Sequence, residues 1–348
     1  MGHKGWVLVT AGSRRRASVE AVRGLAAGGY RAAVTVSGPS LAAASRHCAR
    51  RVVVPPVTDP GYASAVRAEL DSGGYLTVLP ASDPALLALD APGADLADKV
   101  MLEKRAERAG FEMPPSRYLD SPEELHAAAP NLEYPVVVKP TVRRYFPRRI
   151  DSPGALRSFH IDEGPVLVQP YLSDPLLEVS GVMWKGRLVA VSHQRCLRVW
   201  PLDCGTVTAA VTVVADETIE RRLPTLLEGY DGIFQTQFLG NYLLDLNTMV
   251  HTSMPLALAA GVNLVAIYCD LLRGEDVVAV RSRPGLFYRW LEGDLRALFK
   301  EARVGRLRAW EALRAALPHR GAAHSIESLT DPGPMLARFW HGAVRGRL

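Results

Sequence analysis

The sequence predicts an α/β region followed by an α+β region, on three observations. Short apolar runs alternate with helix-like sequence up to about residue 95, the pattern of a parallel sheet with helical crossovers. Beyond that point two hairpin patterns appear, around Lys185-Gly186 and Gly240-Asn241, so antiparallel pairing replaces the alternation. The length of 348 residues allows two or three domains around a large core.

The elements follow in order. WVLVT at residues 6–10 is a strand, AGSRRR a loop, and an alanine-rich helical pattern then runs through Ala27. RAAVTVS, RRVVVPP and YLTVLPASD supply further strands, each separated by helix-like sequence, and loops at their C-terminal ends are available for ligands. Gly12 alone is no dinucleotide fingerprint, because no G-x-G-x-x-G follows the first strand. Helical sequence over residues 98–109 leads through GFEMPPS to the strand YPVVVKP, then to an arginine-rich loop and the strand VLVQPYL. VSGVMWKGRLVAVSHQR and FQTQFLGNYLLDLN form the two hairpins.

The run SMPLALAAGVNLVAIYCDLL at residues 253–272 has nearly the length of a membrane span. Pro255, Gly261, Asn263 and Asp270 interrupt it, so two buried helices, the first ending at Gly261, explain it better. LFYRWLEGDLRALFKEA, RLRAWEALRAAL and PMLARFWHGAVRGRL predict C-terminal helices, the last packing on the body.

Composition narrows the function classes. Hydrophobic residues make up 48% and charged ones 22%, with no low-complexity segment or repeat, so the chain is globular throughout. The net charge of +5 comes mainly from arginine: Lys4, Lys99, Lys104, Lys139, Lys185 and Lys300 are the only lysines among 41 basic residues. The basic residues are scattered and lack an aromatic-interleaved motif, so acidic small molecules are expected as partners, and neither nucleic acid nor membrane. Cys48, Cys196, Cys204 and Cys269 lack metal-ligand spacing and follow no signal peptide, so they read as reduced cytoplasmic thiols.

The second hairpin carries a chemical signal. Side chains of one strand alternate between faces, so Asp245 and Asn247 point together, away from Leu244 and Leu246. With Gln237 from the neighbouring strand they offer oxygen donors to a hard cation such as magnesium; the alternative is an ordinary exposed polar face. A two-residue turn at Gly240-Asn241 would put Leu244 opposite Gln237. A three-residue loop over residues 239–241, pairing Gln237 with Leu243, would place Gln237, Asp245 and Asn247 on one face, and this odd register is the expectation.

Over residues 5–275 the order of these segments resembles the ATP-grasp superfamily, in its carbamoyl-phosphate-synthetase-like and carboxylate-amine ligase branches. The resemblance implies a preATP-grasp parallel-sheet domain at 1–95 and an ATP-grasp fold of two α+β subdomains at 96–175 and 176–285. A helical C-terminal extension at 286–348 lies outside it. The implied activity is that of an ADP-forming ligase, in which ATP and magnesium, with manganese as a substitute, activate a carboxylate as its acyl phosphate for attack by an amine or another nucleophile. Small-molecule carboxylate and amine substrates are the implied partners, and a homodimer is left open. A carboxyphosphate- or carbamoyl-phosphate-forming enzyme and a non-catalytic nucleotide-binding protein are the alternatives.

The resemblance also assigns residues. Lys99 and Lys139 stand where the family places lysines that reach the ATP phosphates, directed into one cleft; a snorkelling lysine at a domain edge is the alternative for each. Gln169, Tyr171 and Leu172 match the hinge along the adenine, and Glu178 the acidic position that accepts from ribose hydroxyls, or else a strand-edge charge. Gln237, Asp245 and Asn247 match the magnesium-holding positions. Arg195 and Arg198 are candidates for a substrate carboxylate.

Three departures accompany the match. No glycine-rich loop follows Lys139, so Arg143, Arg144, Arg148 and Arg149 either replace it or form a solvated basic loop. Met249 occupies the position of a family arginine that stabilises developing charge; His251, two residues on, either compensates for it or is a structural histidine. Cys204-Gly205 stands where relatives often have a run of glycines.

Overall fold

The computed structural model describes residues 2–12, 16–142, 147–161 and 164–345. It begins with β1 (Trp6–Val9), β2 (Arg31–Val36), β3 (Cys48–Val53) and β4 (Tyr75–Leu79), in the parallel order β3-β2-β1-β4. The crossovers are α1 (Arg16–Ala27) and α2 (Tyr62–Gly73), followed by α3 (Asp83–Ala88). Right-handed crossovers leave β1 and β4 as neighbours that feed opposite directions, so the strand order reverses between them.

α4 (Lys99–Arg108) follows, capped by the Asp98 side chain, which accepts from the Val100 and Met101 amides at 2.7 and 3.3 Å. A second, antiparallel sheet has the order β5-β8-β6-β7, from β5 (Arg117–Leu119), β6 (Val136–Pro140), β7 (Arg148–Ile150) and β8 (Val166–Pro170). α5 (Pro122–Ala128) and α6 (Pro153–Arg157) pack on it around Leu125, Val138 and Leu156.

The largest sheet runs β13-β12-β9-β10-β11-β15-β16, with β14 beside β10. Its strands are β9 (Leu176–Trp184), β10 (Arg187–Trp200), β11 (Thr206–Thr212), β12 (Gly232–Leu239), β13 (Tyr242–Asn247), β14 (Val280–Arg281), β15 (Phe287–Arg289) and β16 (Ala323–His324). α7 (Glu217–Leu226) packs with α4 against one face. α8 (Met254–Ala259) and α9 (Leu264–Leu272) are the two helices of the apolar run, and Gly261 between them has φ of 99°, the left-handed conformation of a helix C-terminus. Val265 and Cys269 of α9 join the core of the parallel sheet to Val182 and Ile233 of the large sheet, which is why this run is so apolar. No helix among the described residues is long and apolar enough to cross a membrane. The chain ends with α10 (Leu291–Arg303), α11 (Ala309–Ala316) and α12 (Gly333–Arg345); β15 and β16 add strands to this otherwise helical extension.

The hairpin of β12 and β13 corrects one expectation. Leu239 pairs with Tyr242, so the turn is the two-residue Gly240-Asn241, not a three-residue loop, and Phe238 rather than Gln237 faces Leu243. A bulge at Leu244 then shifts the register, and Gln237 comes opposite Asp245. The shared face is reached by the bulge in the strand, because Gly240, with φ of 57°, already satisfies the short turn.

Candidate functional site

A polar grid crosses the strands of the large sheet. One row is Asp245, Gln237, Glu178 and Gln194 on β13, β12, β9 and β10; the next is Asn247, Gln235, Ser180 and Ser192. Directly paired residues share a face, so the sheet register alone brings these side chains together.

Glu178 organises the grid. Its carboxylate, 2% exposed, accepts from Gln237 Nε2 at 2.7 Å, from Gln235 Nε2 and Ser253 Oγ at 3.1 Å each, and from Gln194 Nε2. A carboxylate only accepts, so each amide must turn its NH2 toward it. Gln237 thereby leaves its carbonyl oxygen on the other side. Asn247 Nδ2 donates to Gln235 Oε1 at 3.4 Å, which leaves the Asn247 oxygen turned outward as well. Of the two readings of Glu178, the alternative of a strand-edge charge does not hold: β9 is an inner strand, and Glu178 sits beside Gln237 at the candidate metal ligands.

Both lysines converge on β13. Lys99, buried at the start of α4, forms an ion pair with Asp245 Oδ1. Lys139, at the end of β6, donates to the Leu244 carbonyl at 3.3 Å, an acceptor that the bulge leaves outside the ladder. Lys139, Gln237, Asp245, Asn247 and Glu178 line a cleft of about 770 Å³; Lys99 does not line it, which corrects the expectation that both lysines are directed into the cleft, because the Asp245 carboxylate takes its ammonium group.

At one end the cleft is walled by Gln169, Tyr171 and Leu172. The Gln169 side chain is held by a 2.7 Å bond to Ser116, and the Tyr171 amide donates to Pro135 O at 3.0 Å. Of the three hinge residues, Leu172 has no backbone hydrogen bond on its amide among the described residues. The Tyr171 hydroxyl donates to Asp203 at 3.0 Å, and Asp203 also takes both Nη atoms of Arg306, at 2.7 and 3.1 Å.

The expectation for Arg195 is corrected, and the other arginines take distinct settings. Arg195 is exposed and lies off the cleft, because strand alternation turns it away from the face that carries Gln194. Arg198 does line the cleft, but the fully buried Asp294 takes its Nε and Nη2 at 2.6 and 3.1 Å. Arg289 Nε stands 2.8 Å from the same carboxylate, close enough for an ion pair though not aligned for a hydrogen bond. Arg149 is held by Asp151 at 2.7 Å and lies 4.2 Å from the Tyr171 ring centroid, while Arg148 is exposed. Arg143 and Arg144 lie outside the described residues.

His251 lines the cleft and is buried, and burial lowers its pKa to about 3, so the ring is neutral. Its Nδ1 lies 3.1 Å from Gln235 Nε2, which can only donate, and 3.1 Å from Ser253 Oγ. The proton therefore belongs on Nε2, which has no partner among the described residues. Met249 is also buried and lines the cleft, so an apolar thioether stands where the resemblance expects a cation. Gly205 is required by close packing: a Cβ there would come within 2.1 Å of Pro201 O.

Sequence reasoning missed Gln235, Gln194 and Ser253. Gln235 was detectable, since it precedes Gln237 by two and repeats the spacing of Asp245 and Asn247. Gln194 and Ser253 carry no such signal.

No family model matches the sequence, and no curated protein does either. Solved structures do. The L-amino acid ligase of Bacillus licheniformis aligns with a TM-score of 0.57 at 14% identity, over 78% of this chain and 75% of that one. N5-Carboxyaminoimidazole synthetase from Staphylococcus aureus aligns with a TM-score of 0.61 at 12% identity, over 82% and 81%. Biotin carboxylase from Campylobacter jejuni aligns with a TM-score of 0.56 at 15% identity, over 78% and 71%. At these identities the likeness is one of fold.

Proposed function

This chain has the ATP-grasp fold, and on that premise we propose that it is an ATP- and magnesium-dependent, ADP-forming ligase. It would activate a carboxylate as its acyl phosphate for attack by an amine. The observation that carries this reading is the convergence of Lys99 and Lys139 on adjacent residues of β13, beside the oxygen-rich grid. A lysine-poor chain has directed two buried ammonium groups at one point, Lys99 onto Asp245 and Lys139 into the cleft, where phosphate oxygens would be natural partners for Lys139.

The donor set fits magnesium. Asp245 offers a carboxylate, and Gln237 and Asn247 offer neutral oxygens that Glu178 and Gln235 have turned away from themselves. Bound magnesium supplies charge neutralisation for the transferring phosphoryl group. The rest falls to the chain: Lys139 orients the phosphates, Lys99 holds the Asp245 carboxylate in place, the Gln169–Leu172 segment reads the adenine edge, and His251 Nε2 donates to a substrate oxygen as a neutral group. We assign Glu178 to amide orientation rather than to ribose. Arg198 keeps Nη1 for a substrate, and Arg195 has no role. The units 1–95, 96–175, 176–285 and 286–348 are the proposed domains, with β15 tying the last two through one sheet. Four free thiols fit a cytoplasmic location.

The test is release of ADP and phosphate on addition of pooled amino acids and amines, followed by identification of the product. Release that ignores every carboxylate, or requires bicarbonate, would move the assignment away from carboxylate-amine ligation. Met249 in the cleft favours a second reading, a nucleotide-binding protein without catalysis; nucleotide affinity with no ADP release from any substrate would establish that instead.

A further inference from the structure

We propose that Arg16 and Trp290 form an anion subsite in the cleft, which holds a second carboxylate of the substrate, distinct from the one activated. The proposal rests on the ligase reading above and adds a substrate class to it: small dicarboxylic acids, acidic amino acids included.

Position is the first argument. Arg16 opens α1 after β1, and Ala81 follows β4. These are the carboxyl ends of the two strands between which the sheet order reverses, the place where open parallel sheets take ligands. Arg16, Ala17, Ala81, Thr252 and Trp290 all line the cleft that also contains the polar grid.

Hydrogen bonding is the second. Arg16 is 8% exposed, and its Nη1 donates to Tyr288 OH at 3.1 Å and Ser325 Oγ at 3.3 Å. Both hydroxyls are locked as acceptors, since Tyr288 donates to Thr252 O at 3.0 Å and Ser325 to Glu20 at 2.9 Å. Among the described residues, Arg16 Nε and Nη2 have no hydrogen bond and no carboxylate forms an ion pair with it. A buried guanidinium without a carboxylate is unfavourable, and the edge formed by Nε and Nη2 is the fork that grips a carboxylate with two parallel bonds. The Trp290 ring supports the cation, with its centroid 3.7 Å from the guanidinium carbon. The Trp290 indole N–H is buried without a partner among the described residues.

Charge selects the ligand. Glu20, Glu292 and Glu327 surround Arg16 without pairing with it, Glu292 being taken by Arg338 at 2.8 and 2.9 Å. Burial holds Glu20 protonated up to about pH 7 and Arg338 offsets Glu292, so the charge around Arg16 leaves room for one carboxylate monoanion rather than a phosphate dianion. Thr252 connects the subsite to His251, so a small molecule anchored at Arg16 extends toward the grid.

The experiment titrates the full-length protein, loaded with ADP and magnesium, with succinate, glutarate, L-aspartate, L-glutamate and inorganic phosphate, read by calorimetry. At least one diacid should bind. Arg16→Gln should weaken it by about tenfold to a hundredfold while ADP affinity stays within about twofold, as expected for loss of a charge-assisted pair. Arg16→Lys, which keeps the charge and loses the fork, should also weaken it, and carries the test if R16Q fails to fold. Diacid affinity unchanged in R16K or R16Q overturns the proposal, as does binding of phosphate alone or of no diacid. Failure of the wild type to bind ADP counts against the ligase reading instead.

Discussion

Gln237 on β12 stands directly opposite Asp245 on β13, although the two-residue turn that joins their strands would by itself put Leu244 there. The bulge at Leu244 makes the difference. It moves Asp245 and Asn247 onto the face of Gln235 and Gln237, and it frees the Leu244 carbonyl for Lys139. One inserted residue thus creates both the oxygen-rich face and the anchor of a lysine.

Glu178→Gln tests whether a carboxylate is needed to hold the amides in one orientation. Glutamine has the same shape but replaces one of the two acceptor oxygens shared by Gln194, Gln235 and Gln237 with an NH2 donor, so at least one of these amides loses its acceptor. Magnesium-dependent ADP release should fall by about ten- to a hundredfold, and half-saturation should shift to higher magnesium. A wild-type magnesium curve in E178Q would mean that the strand backbone alone sets the amides.

Lys139→Met should weaken ATP binding by about 1.5–3 kcal/mol, the scale of a charge-assisted contact. Unchanged ATP affinity by calorimetry would remove Lys139 from the phosphate site.

The ion pair of Lys99 and Asp245 predicts strong coupling. Removing one buried partner leaves the other unpaired, so K99M and D245N should each lower stability to denaturant by about 3 kcal/mol. The double variant should be less destabilised than the sum of the singles. Simple additivity would show that the two side chains do not meet in solution.

His251 and Glu20 pull stability in opposite directions with pH. Burial lowers the His251 pKa from 6.5 to about 3, so between those values the unfolded chain binds the extra proton, and stability falls as pH drops. Burial raises Glu20 from 4.5 to about 7, against the pull of Arg23 and Ser325, so the folded chain holds the extra proton and stability falls as pH rises through that window. Each slope approaches about 1.4 kcal/mol per pH unit where the other group is silent. His251→Gln should flatten the loss below pH 4.5, and Glu20→Gln the loss just above 6.5, in denaturant midpoints measured across pH.

Gly205→Ala should destabilise the protein by about 1–3 kcal/mol and alter ligand affinity, since the added Cβ meets backbone at 2.1 Å. Gly154→Ala is the control, because its nearest neighbour is the Ser152 side chain at 3.9 Å. Equal melting temperatures for the two variants would disprove the close approach.

Much of the fold was legible because local signals agree with it. Lys185 and Gly186 have φ of 49° and 73°, the turn that their sequence suggests between Trp184 and Arg187. Gly261 splits the apolar run into α8 and α9 as its position implies. The arginines were less legible. Arg149, Arg195 and Arg198 are chemically alike in sequence, yet one stacks on Tyr171, one faces away from the cleft and one is gripped by Asp294.

The sequence by itself determined the order of elements, the short turn at Lys185-Gly186, and the alternation that sets Asp245 and Asn247 on one face of their strand, with Lys99 and Lys139 as two of only six lysines. These properties depend on backbone preference and on spacing along one strand or helix, which are local. Only the tertiary structure decided that Glu178 orients the amides, that Lys99 reaches Asp245 and that Arg16 arrives beside Trp290. Those pairs are separated by tens to hundreds of residues along the chain. Their meeting depends on sheet register, on one bulge and on which partner satisfies a buried charge at least free energy, and none of these is written in the neighbouring residues.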